Sequence, residues 1–202
     1  MLPISGKSFL NILKSNNSGY VDAGRKYVFA GRERHSCSRY MNMGYPQRAI
    51  RSEEYLLIWN IKPDRWPAGA PRRIKPGTEN ELLPMYGIDE NGVHHSDWAF
   101  TDIDAAPSKS FIIENMDEDS IKPYFAWAHA KRVEYEFFNI KNDPFCLENL
   151  SGLADHAAIE NEMRDALLKE LEKSKDPRVT GPDEGDFDTY IRYSPMREFP
   201  KP

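Results

Sequence analysis

The sequence predicts an α+β fold, and three observations predict it. Short aromatic and β-branched runs recur at 26–30, 48–51, 55–61 and 134–140; one long amphipathic stretch covers about 155–174; and proline-dense connections separate them. Together they describe a small antiparallel sheet, a long C-terminal helix across one of its faces, and large Pro-rich loops. The 202 residues, 40% hydrophobic and 12% aromatic, suffice for a buried core and exclude a disordered chain. The net charge of -5 leaves no broad footprint for nucleic acid or an anionic membrane, although local basic patches stay open. No window nears the roughly 18–20 apolar residues of a membrane span, and 1–13 lacks the compact apolar segment and cleavage site of an export signal.

The elements follow in order. A turn near Pro3 leads into a short apolar helical segment ending at Leu13, and Asn16-Asn17-Ser18-Gly19 is loop by composition. Lys26 to Ala30 predicts a short buried strand ending at Gly31, because β-branched and aromatic side chains suit a pleated, covered surface. Arg48 to Arg51 and Tyr55 to Ile61 predict an antiparallel hairpin around Ser52-Glu53-Glu54. From Lys62 to Pro84, five prolines and two glycines forbid a helix or central strand and predict one long loop, a kind often used for function. Helical spacing covers Ile121 to Lys131, and a further strand over Glu134 to Ile140 closes at Lys141-Asn142-Asp143-Pro144. The long helix places Ile159, Met163, Ala166, Leu167 and Leu171 on one face and Glu160, Glu162, Asp165, Lys169 and Glu172 outside. Asp155 is placed to cap its first turn, Asp176-Pro177 to stop it, and the rest to run extended along the surface.

The densest polar constellation is Gly31 to Arg39, directly after a predicted strand. Arg32 and Arg34 there suit sulfate, phosphate or carboxylate through paired N–H donors, and Glu33 or His35 suits a sugar hydroxyl or a proton relay; a solvated charged turn is the alternative. His94-His95-Ser96-Asp97, with Asp102 and Asp104, has metal-ligand residue types but no helical i, i+4 pair, so loop satisfaction and ion pairing are the expectation. Among the four tryptophans, Trp66 in the Pro-rich loop is the candidate for stacking on a sugar, while Trp59 and Trp127 fit core positions. Cys37 sits in an electropositive setting, yet no nucleophile motif surrounds it; Cys37 and Cys146 leave free thiols and a single bridge both open.

At several places the residues resemble one family. Tyr27 to His35, Gly44-Tyr45-Pro46-Gln47-Arg48-Ala49-Ile50-Arg51, Tyr55 to Asn60, Asp102 to Lys109, and above all Glu136-Phe137-Phe138-Asn139-Ile140-Lys141-Asn142-Asp143-Pro144 with Asn149-Leu150 are similar to the C-terminal portion of type I sulfatases, in the bacterial branch near heparan N-sulfatase. Gly6 to Leu10 and Asp176-Pro177-Arg178 extend the resemblance over nearly the whole chain.

The resemblance implies hydrolysis of sulfate esters or sulfamates of sulfated glycans by a formylglycine made within a C/S-x-P/A-x-R motif, beside a calcium ion. Cys37 is followed by Ser38-Arg39-Tyr40-Met41, which does not fit that motif, and no other Ser or Cys does. The expectation is therefore a chain inert by itself, with neither the nucleophile nor the calcium ligands. Its partners would be the missing N-terminal catalytic portion and a sulfated carbohydrate, with no nucleic acid and no membrane. By the same resemblance, 1–38 is the last piece of the alkaline-phosphatase-like core, 39–177 the C-terminal subdomain with an insertion at 62–118, and 178–202 an extended tail. Arg32, Glu33, Arg34 and His35, with Trp66, are implied to position substrate, and a periplasmic or extracellular location is implied for the whole enzyme. The alternatives are a free-standing sulfated-glycan binding module, an inactive remnant, and a small hydrolase built on His94, His95 and Asp97 or on Cys37.

Overall fold

The computed structural model describes residues 8–19, 21–22, 24–181, 185–189, 192–193 and 196–202. The turn at Pro3 and the segment Gly6-Lys7 lie outside them, and the helical segment near the start is one turn, α1 (Leu10–Leu13). Four strands, β1 (Val28–Arg32), β2 (Gln47–Arg51), β3 (Tyr55–Asn60) and β4 (Tyr135–Asn139), form one antiparallel sheet in the order β1-β2-β3-β4. The β2–β3 hairpin turns where predicted: Ser52 donates its amide to the Tyr55 carbonyl at 2.9 Å, and its hydroxyl accepts from the Tyr55 amide at 2.9 Å.

Register makes the sheet a core. Phe29 lies opposite Ile50, Ile50 opposite Leu57, and Leu57 opposite Phe137, so one apolar row crosses all four strands. The long helix α4 (Ala157–Ser174) covers that row with Met163, Leu167 and Leu171. Each large side chain so buried contributes roughly 1.5–3 kcal/mol. Cover stops short of β1. The predicted buried strand is an exposed edge, with Val28 57% and Phe29 39% accessible, and it runs to Arg32 rather than ending at Gly31. Its composition suited a covered surface, but position in the sheet decides burial.

Two details of the helix differ from expectation. Asp155 belongs to a 3-10 turn, Ala154–His156, and caps nothing with its side chain. Glu160 is buried rather than outside, accepting from the Ser151 hydroxyl at 2.6 Å and the Gly152 amide at 2.9 Å, because the 149–153 turn folds over it. The stop is as predicted: Lys175 takes a left-handed conformation, and Asp176 then caps the short α5 (Pro177–Thr180) by accepting from the Arg178 amide at 2.9 Å.

Between β3 and β4 the chain makes an excursion, 61–134, and returns so closely that the Asn60 amide donates to the Glu134 carbonyl at 2.7 Å. It builds a second core of Ala68, Ala99, Phe100 and Ile113, with Trp66, Tyr86 and Phe125 packed against it. The Pro-rich stretch is ordered within this excursion, fastened by an antiparallel bridge between Ile74 and Leu82. Two helices complete it, α2 (Pro107–Glu114), which begins with Pro at its first position, and α3 (Lys122–His129) inside the predicted helical stretch. The last residues do not simply trail over the surface. Phe199 is buried, and Ile74 donates its amide to the Glu198 carbonyl at 2.9 Å.

Candidate functional site

The loop 33–45 leaves the end of β1 and carries the arginine-rich constellation. It is pinned from several sides. Asp102, its side chain 1% exposed, accepts from the Ser36 amide at 2.9 Å, the Ser36 hydroxyl at 3.0 Å and the Arg39 guanidinium at 2.7 Å. Ser38 adds two anchors: its carbonyl accepts from the Ala70 amide at 2.7 Å and its hydroxyl from Thr101 at 2.9 Å. Burial alone would push the Asp102 carboxyl up, but the Arg39 guanidinium and these hydrogen bonds hold it below the usual carboxylate range. Burial pulls Arg39 the other way, against the pull of Asp102. The pair thus joins this loop to the second core.

Close packing reinforces the loop at Gly44. Tyr45 donates its amide to the Glu33 carbonyl, and a Cβ at Gly44 would stand 2.6 Å from that carbonyl oxygen, so only glycine fits the approach. The result is a short, rigid platform at the sheet's end.

The sequence-predicted residues divide on this platform. Arg32 lies at the end of β1, half exposed, with its guanidinium 3.8 Å from Asp102. His35 is exposed at the loop's tip. Arg34 donates to the Phe187 carbonyl and lines an open groove with Glu33, Asn42, Phe187 and Arg192. Glu33 turns inward: its carboxylate meets Arg48 of β2 at 2.7 Å and Arg178 of α5 at 2.7 Å. Arg48 also meets Asp176 at 2.6 Å, and Arg178 meets Asp188 at 3.1 Å, which in turn holds Arg65 at 2.8 Å. Although burial opposes it, hydrogen bonds from Arg65 and Arg178 depress the Asp188 carboxyl strongly. Glu33 therefore orients the loop through a charged network, while Arg32 and His35 face outward and Arg34 lines the open groove against Phe187.

Trp66 lies apart from these, edge-on against Phe100 with ring centroids 5.7 Å apart and the Lys131 ammonium 5.6 Å over its ring. Its backbone carbonyl accepts from Arg39 at 2.8 Å, so the same arginine touches both places. Trp59 packs on the main core as expected, whereas Trp127 is exposed on α3.

His94 and His95 do not converge on a metal. His94 pairs its Nδ1 with the Ser110 hydroxyl at 2.9 Å, and His95 pairs with Asp89 at 2.9 Å while stacking on Trp98. Asp97 pairs with Arg73 at 2.6 Å and Arg197 at 3.0 Å. Among the described residues no three His, Cys, Asp or Glu side chains gather as a metal ion would need. Cys37 is buried with its thiol toward the Arg197 carbonyl, and Cys37 and Cys146 are both free thiols. No helix among the described residues is long and apolar enough to cross a membrane.

Sequence reasoning missed several buried cations, Arg48, Arg73, Lys109 and Arg178 among them. Lys109 of α2 points inward, and its ammonium donates to the carbonyls of Ser96, Phe100 and Ile103, each at 3.0 Å, and of Ala99 at 3.3 Å. It ties together the turn that presents Asp102. The only sequence signal is a lysine two residues into a helix opened by Pro107, too weak to place it.

No protein-family model matches the chain, and the search of curated proteins finds no significant match.

Proposed function

We propose that this chain is the C-terminal part of a type I sulfatase acting on sulfate esters or sulfamates of sulfated glycans, contributing pocket residues rather than the nucleophile. One observation carries the reading most directly. An outer strand with Val28 and Phe29 uncovered leads straight into a pinned loop that turns Arg32 and His35 outward and sets Arg34 in an open groove beside them. An unpaired apolar edge is a surface that another part of a protein covers, and β1 ends where the cationic groups begin. The missing catalytic portion would pair with that edge and close the pocket over the loop.

The chemistry suits the residues. Guanidinium groups bind a sulfate oxyanion through paired donors, and an exposed imidazole bonds a sugar hydroxyl. Glu33, held between Arg48 and Arg178, fixes where Arg32 and Arg34 stand. Formylglycine and calcium would be supplied by the portion that carries the nucleophile.

The test is turnover. The purified chain should release no sulfate from an aryl sulfate or an N-sulfated disaccharide. Together with a polypeptide encoded upstream in frame and carrying C/S-x-P/A-x-R, it should release sulfate, with Arg34→Ala and His35→Ala raising KM more than they lower kcat. Turnover by this chain alone, or an upstream frame without that motif, would overturn the reading.

A further inference from the structure

A partly enclosed cavity lies away from the open groove beside Arg34, between the 39–43 loop, the Pro-rich stretch and the last residues of the chain. It holds about 490 Å³, within the roughly 300–1,000 Å³ that small-molecule sites occupy. Trp66 forms part of its wall. Five basic side chains, Arg39, Arg65, Arg72, Lys131 and Lys201, line it against one carboxylate side chain, Asp64.

The state of those cations decides what the cavity suits. Arg65 is committed to Asp188, and Arg39 to Asp102, but the Nη1 of Arg39 is buried and has no hydrogen-bond partner. Among the described residues, Arg72 and Lys201 have no ion pair, and Lys131 has only the face of Trp66. A buried donor without an acceptor and three cations without an ion pair, in a wall where basic side chains outnumber the single carboxylate side chain, are complementary to an anion. Trp66 adds a second requirement. Its ring is held edge-on by Phe100 at 5.7 Å, so it is a fixed aromatic surface rather than a mobile side chain. An aromatic wall beside unpaired cations fits a ligand with a flat, weakly polar face and anionic groups around its rim.

We propose that this cavity binds one sulfated pyranose unit of a glycan, the sugar's C–H face on Trp66 and its sulfate groups on Arg72, Lys131 and Lys201. That the ligand is anionic follows from the cations of the cavity itself; the choice of sugar rests on the glycan reading above. It adds a second contact site on the chain, joined to the first through Arg39, whose guanidinium donates to the Trp66 carbonyl on one side and to Asp102 beside Arg32 on the other. A chain with two such sites holds an extended glycan at more than one residue.

The test titrates the full 202-residue chain, by calorimetry and tryptophan fluorescence, with a heparin-derived tetrasaccharide, its desulfated counterpart, inorganic sulfate and ATP. The tetrasaccharide should bind, more weakly as salt rises, and the desulfated form should not. Arg72→Ala and Lys131→Ala should each weaken it about tenfold with melting unchanged, and Trp66→Leu, which keeps an apolar contact for Phe100, should weaken it about tenfold at a temperature well below its own melting. Unchanged affinity in all three, with loss in Arg34→Ala, would overturn the cavity site and leave the glycan reading standing. Stronger binding of ATP than of the tetrasaccharide would overturn the sugar assignment. Absence of tetrasaccharide binding even at low salt would overturn the site altogether, and the turnover experiment would then judge the sulfatase reading separately.

Discussion

Asp102 and Arg39 meet at 2.7 Å with their side chains 1% and 6% exposed, and this one pair joins the loop after β1 to the second core. A buried pair is costly to break from one side, because the surviving charge stays in a medium that cannot solvate it. Asp102→Asn preserves shape and removes the charge, leaving Arg39 buried near Arg32. It should cost about 3–5 kcal/mol in urea unfolding at neutral pH. A loss below about 1 kcal/mol would mean that water reaches Arg39 and the loop is not held there.

His129 makes stability depend on pH. The ring packs against both Phe100 and Phe125, neither nitrogen has a hydrogen-bond partner, and burial pulls its pKa down to about 4. An unfolded chain protonates its histidine near pH 6.5, so between about 6.5 and 4 the unfolded state binds more protons. Stability should therefore fall as pH drops through that window. His129→Phe should raise the melting temperature at pH 5 by several degrees and change it much less at pH 8. Equal shifts at both pH values would show that the ring is not buried in its neutral form.

Backbone strain gives a third test. Gly69 has φ +100, and a Cβ there would lie 2.9 Å from the Ser38 Cβ and 3.0 Å from the Thr101 amide nitrogen, where three segments cross. Gly77 has φ +80 and nothing within 4 Å. Gly77→Ala should cost about 1–2 kcal/mol from conformation alone. Gly69→Ala should cost about 2–3 kcal/mol more, since conformation and crowding act together. Similar losses in equilibrium unfolding would mean that the crossing yields easily.

Much of the sheet was legible because it is local. The strands at 48–51, 55–61 and 134–140 announced themselves by aromatic and β-branched runs, and Met163, Leu167 and Leu171 by helical spacing. Burial was less legible, because it depends on neighbours. Val28 and Phe29 have the composition of a covered strand and sit on the edge, while Glu160 has the composition of a solvated face and is enclosed. The candidate site divides the same way. Arg32, Arg34 and His35 could be singled out by residue type, but Glu33 owes its place to Arg48 and Arg178, the second of them 145 positions away. The four carbonyls around Lys109 are backbone atoms, which no side-chain pattern reveals.

The excursion at 61–134 bears on how the chain reaches this structure. β1, β2 and β3 form a meander whose pairings are close in sequence, whereas β4 can join β3 only after the whole excursion has brought its ends together. Loop closure must precede the contacts that compensate it, and such pairing is slow. The three-stranded meander and the Phe100 core should form as separate units, with docking of Phe137 onto Leu57 as the late step. A nascent chain stalled before Tyr135 would hold Ile50 and Leu57 open to solvent, and helper proteins would have that interval in which to act.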